Sequence, residues 1–274
     1  GEVDKLVYLA LGGLRPAFDR LEFNLAEKMV LRAMGATNEE YQKVGDLGEL
    51  VEKISNQKFS NSQMTVNDVY VELEKIARDS GSGSQERKVM SLSKLLKGVE
   101  AQSAKYIVRM VIGKLRLGFS DKTVLDALSY LEKGTKEYSD LLDRAYQVRP
   151  DVGVLSRAVK EFGVQKAVEK IAVQIGTPIV PALAQRLKTA AEMIEKMGRV
   201  YVEPKYDGTR VQVHFSRSEK VGERREERGE SQVNLFGEEV KPDFWVRTFT
   251  RNLDESSAMF PELTRIADQI KADE

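Results

Sequence analysis

Apolar residues recur at helical spacing from the first residue to about residue 175, with few strand-like alternations, and the pattern predicts an all-α first half. Asn24 followed by Glu27 has the spacing of a capping box, in which each side chain bonds the other's backbone N–H. It predicts a helix running to Ala33, with Gly35 as its C-terminal stop. Thr65 and Asp68 offer the same start signal before VYVELEKIA. Further on, SGSGSQERK (residues 80–88) reads as a flexible polar loop. No internal repeat is evident.

The segment Gly176-Thr-Pro-Ile-Val-Pro181 breaks the helical pattern, because each proline biases its predecessor toward extended backbone, and a domain boundary is placed there. A short helix is predicted over ALAQRLKTAAEMIEKM. The period then becomes two: Val211, Val213 and Phe215 alternate with Arg210, Gln212 and His214, as in a strand with one buried and one polar face. A second strand, VRTFTR (246–251), puts Phe249 and Arg251 on a common face. Met259, Leu263, Ile266 and Ile270 mark the buried stripe of a last helix. The second half is thus α+β, and both chain ends read as cut.

With 274 residues, 41% hydrophobic and 31% charged, the chain can build two domains with real cores. No stretch approaches the roughly 18 apolar residues of a membrane span, and GEVDKLVYLA is no signal peptide, so a cytoplasmic protein is expected. Cysteine is absent and His214 is the only histidine, which excludes disulfides, thiolate nucleophiles and sulfur- or histidine-built metal sites. Forty-three basic residues balance forty-three acidic ones, so nucleic-acid binding would need a local cluster.

Such a cluster exists. From Ala101 to Ser120 no acidic residue occurs, while Lys105, Arg109, Lys114 and Arg116 do. At about 100° per residue, Lys105, Arg109, Gly113 and Arg116 fall within roughly 80° of one another on a helix. Ile107, Val111 and Leu115 can pack on a core from another side. Cations around a glycine suit a phosphate backbone and bind duplex DNA without reading sequence. An ordinary solvated helix face is the alternative.

A second cluster, Glu203-Pro-Lys-Tyr-Asp-Gly-Thr-Arg210, lies between strand-like runs and contains K-x-D-G-x-R. A lysine amine bonds to phosphorus when burial or neighbouring cations leave part of it neutral. Gly208 would let backbone approach a ligand, and Arg210 supplies donors to ribose or phosphate oxygens. The alternative is a charged β-turn, since Asp-Gly is a common hairpin signal.

EPKYDGTRVQVH resembles the nucleotide-accepting motif of the covalent nucleotidyltransferases, specifically of the ATP-dependent DNA ligases of archaeal and eukaryotic type. TFTRNLDESSAMFPEL (248–263) is similar to the family's next motif, FSRN followed by M-x-P. GTPIVPALAQ resembles its linker, with Ala182 where Met is usual. EAQSAKYIVRMVIGKLRLGFSDKTVLDAL looks like the signature helix of its DNA-binding domain, and TVNDVYVELEKIA and EVDKLVYLALGGLRP also have counterparts.

The resemblance implies an all-α DNA-binding domain over residues 1–176, cut at its N-terminus, then the front of an α+β, antiparallel-sheet adenylation domain over 177–274. It implies Lys205 as the nucleophile that takes AMP from ATP, Glu203 at the adenine, Arg210 at the ribose, and Arg251 near the AMP or the nick 5′-phosphate. Asp207 and Gly208 would shape the loop, and Lys105, Arg109, Gly113, Lys114 and Arg116 would meet DNA. ATP and magnesium are the implied cofactors, with no metal ligands in this chain. A monomer acting on nicked double-stranded DNA is expected, away from membranes, with a sliding clamp as a candidate further partner. The family's acidic metal-holding motif, adenine-stacking aromatic and later lysines have no counterpart here, so the chain alone is expected to be inactive. One departure is the charged insertion 218–245, read as a solvated loop, whose stretch Glu219–Glu230 has five glutamates against four basic residues. Other readings are an RNA ligase or mRNA capping enzyme, or a non-enzymatic helical DNA-binding module.

Overall fold

The computed structural model describes residues 2–58, 64–216 and 245–263. The insertion falls almost wholly outside them, as do Ile266 and Ile270 of the last predicted helix. The chain forms two compact units, residues 1–146 with 150–172, and residues 147–149 with 173–274. Among the described residues it is mostly helical, with one two-stranded antiparallel sheet.

The helices are α1 (Val3–Ala10), α2 (Glu27–Met34), α3 (Asn38–Val44), α4 (Leu47–Lys58), α5 (Val66–Arg78), α6 (Ser84–Lys97), α7 (Ala101–Val111), α8 (Asp121–Lys133), α9 (Ser139–Val148), α10 (Val152–Phe162), α11 (Val164–Lys170) and α12 (Ala190–Met197). In the first unit they enclose two cores. One gathers α2 and α4 to α7 around Val30, Leu47, Leu73, Leu92 and Val108, and the other gathers α1 and α8 to α11 around Leu125, Leu142, Leu155 and Val164. Tyr8 of α1 donates its hydroxyl to Asp151, which also accepts from the N–H of Val154 and so caps α10. Burial, and then the Asp151 charge, push the Tyr8 phenol upward, so the hydroxyl stays protonated as the donor.

The predicted start of α5 is present: Thr65 accepts from the Asp68 N–H while Asp68 accepts from that of Thr65. The Asn24–Glu27 box is not. Asn24 takes a left-handed conformation (φ 52°), and Ala26 precedes the helix without a capping side chain. Gly35 does end α2 in the left-handed region. The SGSGSQERK loop is shorter than predicted, because α6 begins at Ser84, and the helix predicted from Ala182 begins only at Ala190, with Thr189 accepting from the Glu192 N–H.

In the second unit β1 (Val211–Ser216) pairs with β2 (Trp245–Thr250), in the register Val211↔Thr250 through Ser216↔Trp245. Cross-strand partners share a face, so Gln212 and Phe249 lie together, as do His214 and Arg247. Phe249 is fully buried and Arg247 nearly so, while Val211, Val213 and Phe215 are only partly covered. Gln212 and His214 are likewise only partly covered, and Thr248 opposite Val213 is buried, so the alternation in β1 does not separate a buried from an outward face, and the face expected to be polar carries packing of its own. The segment 176–179 lies along it: Gln212 exchanges two hydrogen bonds with the Ile179 backbone, and the Gly176 N–H donates to His214 Nδ1 at 3.4 Å.

Candidate functional site

The lysine segment belongs to the second unit. Residues Tyr201 to Arg210 form an irregular, exposed stretch that enters β1, and Glu203, Lys205, Asp207 and Arg210 all face solvent. The amine of Lys205 is thus not buried by any described residue, and the burial invoked to activate it is not supplied here. Gly208 has φ 153°, a value that L-residues rarely adopt, with open space where a Cβ would stand. Arg251 lies in the turn just past β2, not within the strand, and is exposed. The register nevertheless brings it close to another site residue. Because Val211 pairs with Thr250, Arg210 and Arg251 each stand one position beyond the last pair, at the same end of the hairpin. Two guanidinium-bearing residues at one sheet end, reached from an exposed lysine loop, make a place suited to an anion.

Behind them is a buried arginine that sequence reading missed. Arg247 donates to Gly176 O at 3.1 Å and to Glu255, and its guanidinium packs over the Phe249 ring at 5.0 Å. His214 meets the same ring edge-on at 5.3 Å. Burial first, then the Arg247 charge, lower the His214 pKa below its usual value, so it acts as a neutral acceptor for Gly176. The only signal in the sequence was the alternation of Arg247 with Val246 and Thr248, which without a register does not point at Gly176.

The basic cluster belongs to the helical unit, and its helix is shorter than the sequence suggested. α7 ends at Val111, and Gly113, Arg116 and Gly118 all have positive φ, so the stretch after Ile112 is a loop. Gly113 and Arg116 are therefore not on one helical face with Lys105 and Arg109. Tertiary structure reunites them by another route. Arg109 pairs with Asp46 (3.2 Å) and Glu49 (3.7 Å), and Arg116 pairs with the other oxygen of Asp46 at 3.0 Å. Lys105 pairs with Glu52 and Lys114 with Glu27, each at 2.8 Å. Arg109 is only 12% exposed, a bolt between α7 and the start of α4, whereas Lys114 and Arg116 reach solvent at 53% and 59%. Ile107 and Val111 are buried as expected, and Leu115 packs against the same core. Leu117 and Phe119 add exposed apolar surface to the loop. Asp46 also accepts the Glu49 N–H. Burial pushes its carboxyl upward, but that hydrogen bond and the two arginines outweigh it and hold the pKa below the usual range.

Two family models match this chain in series, the DNA ligase N terminus over residues 1–129 and the ATP dependent DNA ligase domain over residues 181–274. The chain belongs to the ATP-dependent DNA ligase family. The basic loop lies inside the first matched region, and Lys205, Arg210 and Arg251 lie inside the second. A probable DNA ligase of Dictyoglomus thermophilum is 37% identical over 270 residues, which cover 96% of this chain and 41% of that protein. DNA ligase 2 of Korarchaeum cryptofilum is 40% identical over 232 residues, 80% of this chain and 39% of the relative. A DNA ligase of Caldivirga maquilingensis is 40% identical over 236 residues, 77% and 38% of the two chains. The chain thus spans about two fifths of the length of the curated relatives it matches. None of its helices, among the described residues, is long and apolar enough to cross a membrane.

Proposed function

We propose that this chain is the front portion of an enzyme that seals nicks in duplex DNA at the expense of ATP, its helical unit holding DNA and its second unit carrying the nucleophile. Lys205 Nζ attacks the α-phosphorus of ATP, a phosphorus–nitrogen bond forms and pyrophosphate leaves. AMP then passes to the 5′-phosphate of the nick, and the 3′-hydroxyl displaces it. Glu203 and Arg210 position the nucleotide, Arg251 meets an anionic group beside it, and Asp207 and Gly208 shape the loop. Lys114 and Arg116 offer the accessible phosphate contacts, Gly113 gives the backbone room to approach, and Lys105 and Arg109 brace the loop from α7.

The observation that carries this reading is the order of the two family matches, with the lysine loop in the second and Arg210 beside Arg251 at one end of the hairpin. Magnesium would accompany the nucleotide phosphates. Among the described residues there is no group of three or more His, Cys, Asp or Glu side chains placed to hold a metal ion.

The test is covalent labelling of the full-length protein with ATP. The wild type should acquire an AMP adduct, stable to base, labile to acid and located on Lys205 by peptide mass. Lys205→Arg keeps the charge but offers a guanidinium that stays protonated, so the adduct should vanish while DNA binding persists. Normal adduct yield in that variant would place the nucleophile elsewhere.

A further inference from the structure

Every cation between Ala101 and Ser120 is bonded to a carboxylate from elsewhere in the helical unit. The surface that the sequence presents as acid-free is, in three dimensions, balanced by Glu27 at the start of α2, Asp46 before α4, and Glu49 and Glu52 within it. The two outer pairs differ from the inner ones. Lys114 and its partner Glu27 are 53% and 41% exposed, and Arg116 is 59% exposed although its partner Asp46 is only 11% exposed. An approaching phosphate would compete with each carboxylate for the same N–H donors. The displaced carboxylate would stay nearby, repelling the phosphate and drawing a cation from solution.

We propose that Glu27 and Asp46 are internal counter-ions that mask Lys114 and Arg116 until DNA phosphates displace them, and so set the affinity and salt dependence of this surface. The proposal rests on the reading that the loop after α7 contacts DNA. Its consequence concerns counter-ions. Each phosphate neutralised by a protein cation releases condensed cations, which gives the salt slope, but a carboxylate exposed in the same event takes one back. Masked pairs therefore bind more weakly and with a shallower slope than their number of cations implies.

The experiment is binding of the full 274-residue chain to nicked duplex, titrated across salt from about 50 to 200 mM. Glu27→Gln and Asp46→Asn keep side-chain shape, and the amide of Asp46→Asn keeps an oxygen for the Arg109 and Glu49 hydrogen bonds. Each should tighten binding by about threefold and steepen the slope by up to about 1. The gain from Glu27→Gln should disappear in a Lys114→Gln background, and the gain from Asp46→Asn should shrink in an Arg116→Gln background. Unchanged or weaker binding in both carboxylate variants, with thermal melts showing them folded, overturns the proposal. An equal gain with and without the partner cation also overturns it, because that is the signature of general repulsion. If Lys114→Gln and Arg116→Gln themselves leave binding and slope untouched, the DNA-contact reading fails, and the proposal with it.

Discussion

Lys88 shows how a single buried charge can be structural. It lies on α6 at 5% exposure, and its ammonium donates to Phe23 O at 2.8 Å and, more weakly, to Ala77 O near the end of α5. Burial lowers its pKa, with the Asp79 charge opposing that shift only in part. It satisfies carbonyls that would otherwise be buried without donors, one of them next to the left-handed Asn24 that replaced the predicted cap. Replacing Lys88 with Met keeps the aliphatic stem and removes the donor. The expected loss is about 1–3 kcal/mol, the usual penalty of leaving a buried acceptor unsatisfied. Urea unfolding of the helical unit would measure it, and an unchanged midpoint would mean that water replaces the ammonium. Helical spacing sets Lys88 in line with the buried Leu92 and Leu95 and Arg87 with Ser91 and Lys94, but the carbonyls that Lys88 meets are 65 and 11 residues away and are not legible along the chain.

Among the elements, the contact that matters most to the basic loop is α4 against α7. A Cβ on Gly48 would stand 2.8 Å from Arg109 Cγ and Nε and 2.9 Å from Lys105 O. Alanine normally stabilises an exposed helix interior relative to glycine by roughly 1 kcal/mol. Here the backbone oxygen of Lys105 cannot swing aside, and overpacking commonly costs about 1–3 kcal/mol. Gly48→Ala should therefore destabilise the helical unit and loosen the Arg109–Asp46 pair. A melting temperature equal to or above wild type would refute the close approach. Elements were legible where their signals were local. Thr65 and Asp68 start α5 as read, whereas α7 stopped at Val111 although its pattern ran on through Arg116. The physical reason is that Gly113 and Arg116 take positive φ, which periodicity alone does not register.

The whole molecule has two compact units, and its single tryptophan, Trp245, lies in β2 of the second. Tryptophan fluorescence should therefore follow the sheet, and far-UV ellipticity chiefly the helices, so their denaturation curves should not coincide; superposable curves would show a single cooperative unit. The fluorescence transition should also depend on pH. His214 is held below its usual pKa by burial and by Arg247. As pH falls below about 6.5 the unfolded chain takes up a proton that the folded one refuses, and stability declines until the lowered folded value is passed. His214→Phe should flatten that part of the profile.

Short-range chemistry along the chain was enough to encode the helical first half, the change of period after residue 200, the K-x-D-G-x-R loop, and the order of motifs that places the chain in its family. Which group partners which was settled only by the packing. The acid-free run from Ala101 to Ser120 is acid-free only along the chain. Asp46 and Glu27 reach it from 63 to 87 residues away, through the packing of α4 and α2. Which hairpin residues are buried likewise follows from the segment 176–179 and from Ser256 and Ser257, which cover opposite sides of β2 and its neighbour, not from the alternation in β1. Periodicity shows that two faces differ, but burial goes to the face that another part of the chain covers.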